Sequence, residues 1–341
     1  MKAAVLREFN SVPGLEERAE PVPGAGEVVI RQKYTGICYR DILTLKGRFP
    51  RTRLPVVPGH EVAGTVVSIG EGVESVSPGD RVASLIYVPC GVCRFCTGGR
   101  ENLCRSKVTL GEGADGSYAP LVRTHQRSLV RVPPSVDEES AVISACVTGM
   151  IIQALKGRGR LSEGETVLVT GAGGGAGSHA VQIAKALGAK VIAATGSSWK
   201  EEGIYALGAD SVVANRSLSG KVKELTGGEG ADVAVDTVGG PTFREALKSM
   251  NFGGRLVVIG NVDSATVDLP LGYMILKGLE LIGSVSSTRK NVAEALEMAG
   301  TGRIRAVVDR KIGLGSVGSA YADMEKRSTF GRVLIDLSAG Q

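Results

Sequence analysis

The sequence predicts an α/β protein in which a β-rich domain precedes a doubly wound parallel sheet. Three observations support this fold class. Apolar strands alternate with helical segments after residue 166, a glycine cluster follows the first of these strands, and short apolar runs separated by turns occupy the preceding residues. A chain of 341 residues is long enough for two domains. We expect six parallel strands, as in two mononucleotide-binding halves.

The glycine cluster marks the start of the parallel sheet. An apolar run at 166–170 leads into it, a helical pattern follows at 177–187, and a second apolar run at 190–195 completes a βαβ unit. Backbone N–H groups at such a turn can approach a pyrophosphate, which the helix N-terminus also attracts. The pattern therefore predicts a dinucleotide site. Its loop residues are Gly171, Gly173, Gly174, Gly175, Ala176 and Gly177.

The end of the second strand indicates which dinucleotide binds. An NAD site usually carries Asp or Glu about 20 residues after the motif, where it accepts the ribose hydroxyls. Here no carboxylate occurs before Glu201, so a 2′-phosphate would meet hydroxyls and a lysine. We therefore predict NADP(H); the alternative is a polar loop that caps the next helix. The residues predicted to contact the cofactor here are Thr195, Gly196, Ser197 and Lys200.

The remaining elements follow from hydrophobic periodicity. Candidate strands of the parallel sheet lie at 166–170, 190–195, 211–214, 233–236, 255–259 and 280–285, with helices near 177–187, 200–207, 219–226 and 242–250. Short strands of the β-rich domain are predicted at 3–6, 28–33, 61–69 and 81–88, and an apolar helix-like segment at 140–155. A helix at 290–298 and a strand at 332–337 follow the parallel sheet, and the strand could return to the first domain. The predicted domains are 1–148, 149–285 and a C-terminal segment at 286–341.

Composition excludes several classes of function. The formal charge of +5 is mild, lysines and arginines are dispersed, and 4% of residues are aromatic, so a nucleic-acid surface is not expected. No stretch of about 18 residues is continuously apolar, so we expect no membrane span. Six cysteines without a secretory signal indicate a reducing, cytoplasmic compartment and favour metal or catalytic roles over disulfides.

Four of the cysteines form a compact ligand set. They follow the pattern C-x2-C-x2-C-x7-C within a predicted lobe at 88–106, and four thiolates can close a tetrahedron around zinc without an open position. We therefore predict a structural zinc, with an iron–sulfur cluster as the alternative. The ligands are Cys90, Cys93, Cys96 and Cys104.

The other two cysteines, Cys38 and Cys146, suggest a second zinc together with His60. Two thiolates and one imidazole are a known catalytic set with a fourth position for water or substrate. Beside a hydride-carrying cofactor, such a zinc can polarise a carbonyl. Asp41 could orient a ligand, and Glu61 could replace water on the metal.

The chain resembles the zinc-containing medium-chain dehydrogenase/reductase superfamily. Gly59-His60-Glu61-x2-Gly64-x5-Gly70-x2-Val73 is similar to its zinc signature, and the four-cysteine set is similar to its structural-zinc lobe. The resemblance implies a GroES-like catalytic domain, a Rossmann domain, small-molecule substrates and homo-oligomers, dimers or tetramers. It also implies that Thr148 and Arg332 contact the cofactor, Arg332 through the phosphates.

The sequence departs from the family's alcohol dehydrogenases at three places. Arg40 stands where a Ser or Thr relays the alcohol proton, and Leu43 replaces the histidine three residues later. Cys146 precedes Thr148-Gly149 by two residues, whereas the family's third zinc ligand precedes such a step by four.

Other segments are similar to enoyl and quinone reductases of the same superfamily. Cys38-Tyr39-Arg40-Asp41 resembles their Asn-Tyr-Arg/Lys-Asp, and 145–150, 260–263 and 271–273 resemble archaeal acryloyl-CoA reductases that keep the zinc cysteines. An enoyl reductase delivers hydride to carbon and needs no alcohol relay.

Three hypotheses follow. The first is a zinc- and NADP(H)-dependent alcohol dehydrogenase or ketone/aldehyde reductase that uses Cys38, His60 and possibly Cys146. The second is an NADPH-dependent enoyl-CoA reductase of the acryloyl-CoA type, in which Tyr39 or Arg40 assists the thioester or the developing enolate. The third is a non-enzymatic NADP-binding protein.

Overall fold

The computed structural model describes residues 1–263 and 265–338. The chain forms two compact units, the first made of Met1–Gly149 and Ser286–Gln341, and the second of Met150–Val285. Residues 264 and 339–341, which the predicted domain ranges include, lie outside the described residues.

The second unit is built on a six-stranded parallel sheet, which confirms the predicted fold class. Ten strands precede it in the chain, so its strands are β11 Thr166–Val169, β12 Lys190–Thr195, β13 Ser211–Ala214, β14 Ala231–Asp236, β15 Met250–Val258 and β16 Glu280–Gly283. Their order, β13-β12-β11-β14-β15-β16, is that of two mononucleotide-binding halves joined at β11 and β14.

Helices connect these strands, as parallel pairing requires. They are α5 Gly175–Ala186, α6 Glu201–Ala206, α7 Leu218–Leu225, α8 Gly240–Lys248 and α9 Leu271–Lys277. The buried faces of α7 and α8 pack on the sheet through Val222, Phe243 and Leu247, so apolar burial holds these helices in place. The carboxyl ends of β11 and β12 thereby present the glycine loop and residues 195–200 at one edge.

The first unit is β-rich, as expected. Its strands before residue 149 are β1 Lys2–Val5, β2 Gly14–Glu17, β3 Glu27–Arg31, β4 Tyr34–Gly36, β5 Val62–Ile69, β6 Arg81–Ser84, β7 Tyr87–Val88, β8 Val108–Thr109, β9 Leu121–His125 and β10 Leu129–Arg131. Five of them pair in the antiparallel order β10-β6-β5-β3-β9. The inward side chains of this sheet, among them Ile30, Val66 and Val122, form a buried core.

The C-terminal segment completes the first unit. Strand β18, Arg332–Asp336, pairs antiparallel with β4 and parallel with β17, Val308–Gly313. The helices of this unit are α1 Tyr39–Leu45, α2 Arg94–Thr97, α3 Glu138–Val142, α10 Arg289–Gly300 and α11 Val317–Glu325. Helix α4, Gly149–Ile152, contains the point in the chain at which the first unit ends and the second begins. The apolar segment predicted at 140–155 is helical but contains two π-helical stretches, Ser144–Thr148 and Gln153–Arg158. Within the described residues, no helix is both long and apolar enough to cross a bilayer.

Candidate functional site

The first unit brings Cys38, His60, Glu61 and Cys146 together. Their potential ligand atoms all lie within 4.8 Å of one another. The Nε2 atom of His60 is 3.3 Å from Sγ of Cys146, and the two sulfur atoms are 3.8 Å apart. These are the residues that the sequence predicts for a catalytic zinc.

Local structure explains how Cys38 and His60 reach this point. Cys38 caps the N-terminus of α1, where its backbone N–H donates to the carboxylate of Asp41 at 2.8 Å. His60 follows Gly59, whose positive φ of 85° brings the chain close to Tyr118; a Cβ at Gly59 would lie 2.4 Å from that ring. Only glycine lets the backbone before β5 pass this close to the Tyr118 ring.

Cys146 reaches the cluster although its spacing differs from that of the family. It lies in the π-helical stretch Ser144–Thr148, and a π-turn contains one more residue than an α-turn. The π-helical geometry thus occurs in the segment where Cys146 precedes Thr148-Gly149 by two residues instead of the family's four. Thr148, predicted to contact the cofactor, is buried in the same stretch, and its hydroxyl donates to the carbonyl of Ser144 at 3.5 Å.

Asp41 contacts the ring nitrogen of His60 that does not face the cysteines. Its Oδ1 lies 3.0 Å from Nδ1 of His60, and both side chains are buried. Its Oδ2 accepts hydrogen bonds from the backbone of Cys38 and from the hydroxyl of Tyr118, the latter at 2.9 Å. Since Nδ1 faces Asp41, Nε2 is the nitrogen that faces the sulfur atoms and would bind a metal.

Glu61 and Arg332 form a buried pair at the edge of the cluster. A guanidinium nitrogen of Arg332 donates to Oε1 of Glu61, and both residues are almost fully buried. The contact places Arg332 at the metal cluster; its predicted contact with cofactor phosphates stays a prediction. Gly36 makes room for the pair, because a Cβ there would lie 1.8 Å from Oε2 of Glu61.

The electrostatics of the cluster are strongly coupled. Hydrogen bonding from Cys146 holds the pKa of Cys38 well below its usual value, despite burial, and His60 and Arg332 act in the same direction. Burial lowers the pKa of His60, but Asp41 and Cys38 outweigh burial and raise it to about 10. Burial also raises the pKa of Glu61, while Arg332 lowers it. The protonation states of Cys38, His60 and Glu61 therefore depend on one another.

The donor set fits a zinc ion. Two sulfur atoms and one imidazole nitrogen are soft ligands that zinc prefers, and Glu61 supplies an oxygen. The Oε2 atom of Glu61 is buried and has no hydrogen-bond partner among the described residues. A buried carboxylate oxygen normally has a partner, so this atom is available as a fourth ligand.

The second cysteine set is also brought together. The sulfur atoms of Cys90, Cys93, Cys96 and Cys104 lie within 4.8 Å of one another, and all six cysteines are free. Backbone N–H groups of Val92 and Cys93 lower the pKa of Cys90 to about 6, which favours the thiolate that a metal requires. Four sulfur ligands on one loop fit a closed structural zinc site.

In the second unit, the glycine loop adopts a close-packed turn. Gly171 has a φ of 60°, and α5 begins at Gly175 after Gly174 as its N-cap. A Cβ at Gly177 would lie 2.1 Å from the carbonyl oxygen of Gly171, so only glycine permits this approach. The loop therefore has the close turn and helix start that a pyrophosphate site needs.

The segment after β12 borders this loop. Thr195 is buried, and its hydroxyl accepts a hydrogen bond from the backbone of Ser197 at 3.2 Å. Lys200 ends a short 3-10 helix, and its stem covers Gly173, where a Cβ would lie 2.4 Å from Cδ of Lys200. The predicted hydroxyls and lysine are thus adjacent to the predicted phosphate loop.

Arg40, two residues after Cys38, is held in place by an acidic partner. Its guanidinium lies 2.6 Å from a carboxylate oxygen of Glu112 and 4.0 Å from the ring centroid of Phe49. Tyr39 is half-buried and packs against a core cluster of the first unit. The sequence analysis missed Glu112 and Tyr118, because they join the site only through contacts more than 70 residues apart along the chain.

Two family models match separate parts of the chain. Residues 24–134 match the family described as alcohol dehydrogenase GroES-like domain, and residues 175–301 match the family described as zinc-binding dehydrogenase. The first match lies within the first unit, and the second includes most of the second unit and the start of the C-terminal segment.

Relatives of similar length match almost the whole chain. An acryloyl-coenzyme A reductase of Metallosphaera sedula is 43% identical and covers 98% of this chain and 99% of its own length. An alcohol dehydrogenase of Geobacillus stearothermophilus is 34% identical over 98% of this chain and 99% of its own. The crystal structure of AibC superposes with a TM-score of 0.92 at 39% identity, covering 98% of this chain and 95% of that one.

Proposed function

Because the chain belongs to the zinc-binding medium-chain dehydrogenase/reductase family, we propose that it is an NADPH-dependent reductase of enoyl-CoA thioesters, of the acryloyl-CoA type. The observation that carries this proposal is the environment of Arg40. The position that relays a proton in the family's alcohol dehydrogenases holds a guanidinium paired with Glu112. Arginine stays protonated in proteins, so it cannot take a proton from an alcohol and pass it on.

The reaction does not require such a relay. Hydride adds to the β-carbon of the enoyl thioester, the electrons of the C=C bond move toward the α-carbon and the thioester oxygen, and a proton then adds at the α-carbon. The negative charge that develops on the oxygen needs nearby positive charge. Cys38, His60 and Cys146 would hold a zinc ion whose fourth position, which Glu61 could occupy when no substrate is bound, is open to the thioester oxygen; the ion would polarise that carbonyl.

The chain's own residues have distinct tasks in this proposal. Asp41 orients His60, Arg40 places a fixed positive charge beside the developing enolate, and Tyr39 offers a phenol as the proton donor. The glycine loop of the second unit holds the cofactor pyrophosphate, and the hydroxyls and lysine at 195–200 favour a 2′-phosphate. The acryloyl-coenzyme A reductase at 43% identity supports the same substrate class.

A second candidate is reduction of a ketone or aldehyde, or the reverse oxidation of an alcohol. The cysteine and histidine set favours it, because the same zinc could polarise a simple carbonyl. Arg40 and Leu43 stand where the family's alcohol dehydrogenases carry their proton relay, and they favour the enoyl substrate instead. A non-enzymatic NADP-binding role would not explain why Oε2 of Glu61 is buried without a hydrogen-bond partner among the described residues.

The deciding experiment measures NADPH oxidation with acryloyl-CoA and with a panel of aldehydes and ketones, and NADP⁺ reduction with alcohols. We expect turnover of acryloyl-CoA to exceed that of every simple carbonyl or alcohol. Robust alcohol turnover without acryloyl-CoA activity would establish the second candidate instead, and tight NADPH binding without any turnover would establish the third. A homotetramer and a cytoplasmic location remain predictions, testable by mass photometry and by localisation of the tagged chain.

A further inference from the structure

A group of cations in the first unit lies at the end of the four-cysteine lobe. We define the basic patch as Arg51, Arg105 and Lys107. A guanidinium nitrogen of Arg51 donates to the backbone carbonyl of Arg105 at 3.1 Å, which joins the two segments. Lys107 donates to the backbone carbonyl of Asn102, and its ammonium lies 5.1 Å from the ring centroid of Tyr87. The patch is therefore built from the loop after α1 and from the end of the cysteine lobe.

The positive charge of the basic patch is not balanced. None of its three residues has an ion-pair partner in the part of the chain that the structure describes, while the nearby carboxylate of Glu112 pairs with Arg40. Burial, together with the charges of Arg40 and Arg51, lowers the pKa of Lys107. Lys107 is partly buried, while Arg51 and Arg105 are exposed. An anion bound at the patch would offset the repulsion that Arg40 and Arg51 exert on Lys107.

Arg40 connects the patch with the candidate metal site. It lies two residues from Cys38 in the first turn of α1, and its charge acts on Lys107. Phe49, which stacks on Arg40, is two residues from Arg51. An elongated substrate whose reactive end lies at Cys38 and His60 could thus extend an anionic end toward Arg51 and Lys107.

We infer that the basic patch binds the phosphate groups of an acyl-CoA thioester. Coenzyme A carries a pyrophosphate and a 3′-phosphate at the end remote from the thioester, and guanidinium groups bind such oxygens through paired, charge-assisted hydrogen bonds. Simple alcohols and ketones carry no such group, so the patch would have no role with them. The inference rests on the proposed enoyl-CoA function and names the residues that recognise the carrier.

The test compares two thioesters on the full-length enzyme. Acryloyl-CoA carries the phosphates, whereas acryloyl-pantetheine has the same reactive end without them. In the double variant R51Q/K107Q, which removes two charges and keeps long polar side chains, we expect KM for acryloyl-CoA to rise at least about tenfold. Its kcat, and kcat/KM for acryloyl-pantetheine, should change less than about twofold. The control R303Q/K290Q removes two exposed cations elsewhere in the same unit and should behave as the wild type.

Binding of free CoA, measured by calorimetry at two salt concentrations, makes the test independent of turnover. The wild type should bind CoA more weakly at high salt, and R51Q/K107Q should bind it at least about tenfold more weakly than the wild type. Equal CoA affinity of the two proteins, or an equal loss with both thioesters, would overturn the inference while leaving enoyl reduction intact. If the wild type reduced neither thioester, the proposed function would fail, and the CoA titration would still decide whether the patch binds the carrier.

Discussion

Oδ1 of Asp41 lies 3.0 Å from Nδ1 of His60, and both side chains are almost fully buried. The carboxylate accepts from three donors: the imidazole of His60, the backbone N–H of Cys38 and the hydroxyl of Tyr118. An imidazole held in this way has its other nitrogen fixed toward the sulfur atoms. The contact therefore links the start of α1 to the geometry of the candidate metal site.

Asp41→Asn should weaken this metal site. An amide presents an N–H₂ group to neighbours that are all donors, so one of the three hydrogen bonds is lost and the imidazole is no longer held. We expect zinc affinity at this site to fall about 10- to 100-fold, with a similar loss of activity. Competition with a chromogenic chelator measures the affinity.

The control for Asp41→Asn is Asp115→Asn, an exposed position in the same unit whose carbonyl oxygen can still accept from Val57. The four-cysteine site should retain its zinc in both variants. Unchanged zinc affinity in Asp41→Asn would show that the carboxylate does not position the ligand.

Metal content should separate the two cysteine clusters. We expect two zinc ions per chain in the wild type by mass spectrometry of the native protein. Cys38→Ser should lose one zinc and the activity, because the zinc ion held by this cluster would polarise the substrate carbonyl. Cys93→Ser should lose the other zinc and lower the melting temperature, since structural zinc sites contribute directly to folding.

A wild type with a single zinc that is lost in Cys93→Ser would contradict the catalytic assignment. Iron instead of zinc, with the absorbance of an iron–sulfur cluster, would favour the alternative interpretation of the four-cysteine lobe.

Gly36→Ala should disturb the Glu61–Arg332 pair. The added Cβ would lie 1.8 Å from Oε2 of Glu61 and 3.1 Å from a guanidinium nitrogen of Arg332, so the buried carboxylate must move. We expect a loss of about 1–3 kcal/mol in the free energy of unfolding, as for other overpacked cores, and weaker zinc binding. Denaturant unfolding and zinc competition measure the two effects.

Gly14→Ala is a matched control for Gly36→Ala. It also lies in a strand of the first unit, but a Cβ there meets no atom within 4 Å. Equal stability of the two variants would mean that Glu61 adapts to the added methyl group at no cost.

Much of this molecule was predictable from local sequence signals. Apolar runs and glycine turns give the strands and helices of the second unit because parallel strands buried on both faces read as continuous apolar stretches. The spacing of Cys90, Cys93, Cys96 and Cys104 likewise predicted that they form one cluster. The fold class could be predicted for these reasons.

Other features depend on contacts that the sequence does not encode locally. Glu61 and Arg332 are 271 residues apart, and no local pattern indicates that they form a buried pair. The spacing around Cys146 argued against its joining the cluster, yet the π-helical stretch places its sulfur 3.8 Å from that of Cys38. A change of helix type inside an apolar segment leaves the hydrophobic pattern almost unchanged, so periodicity could not reveal it.

Ser197→Asp should reverse the predicted cofactor preference. The segment at 195–200 lacks a carboxylate, and an aspartate at position 197 would repel a 2′-phosphate and accept the 2′-hydroxyl of NADH. We expect KM for NADPH to rise by about tenfold or more and KM for NADH to fall, which steady-state kinetics with both cofactors measures. Ser197→Asn, equal in size and uncharged, is the control and should keep the preference for NADPH. If the wild type already prefers NADH, the assignment of NADP(H) from this segment is wrong.

Gly177→Ala should abolish tight cofactor binding by the second unit. Its Cβ would lie 2.1 Å from the carbonyl oxygen of Gly171, so α5 and the glycine turn would have to separate, and the backbone N–H groups would no longer converge on the pyrophosphate. We expect at least about a tenfold loss of NADPH affinity, measured by fluorescence titration. Gly220→Ala is the control, because this helical glycine of α7 meets no atom within 4 Å and alanine favours helix. Since the candidate metal ligands all lie in the first unit, Gly177→Ala should keep both zinc ions. If the variant lost both its zinc and its affinity for NADPH, the cause would be general misfolding and not a local effect on the loop.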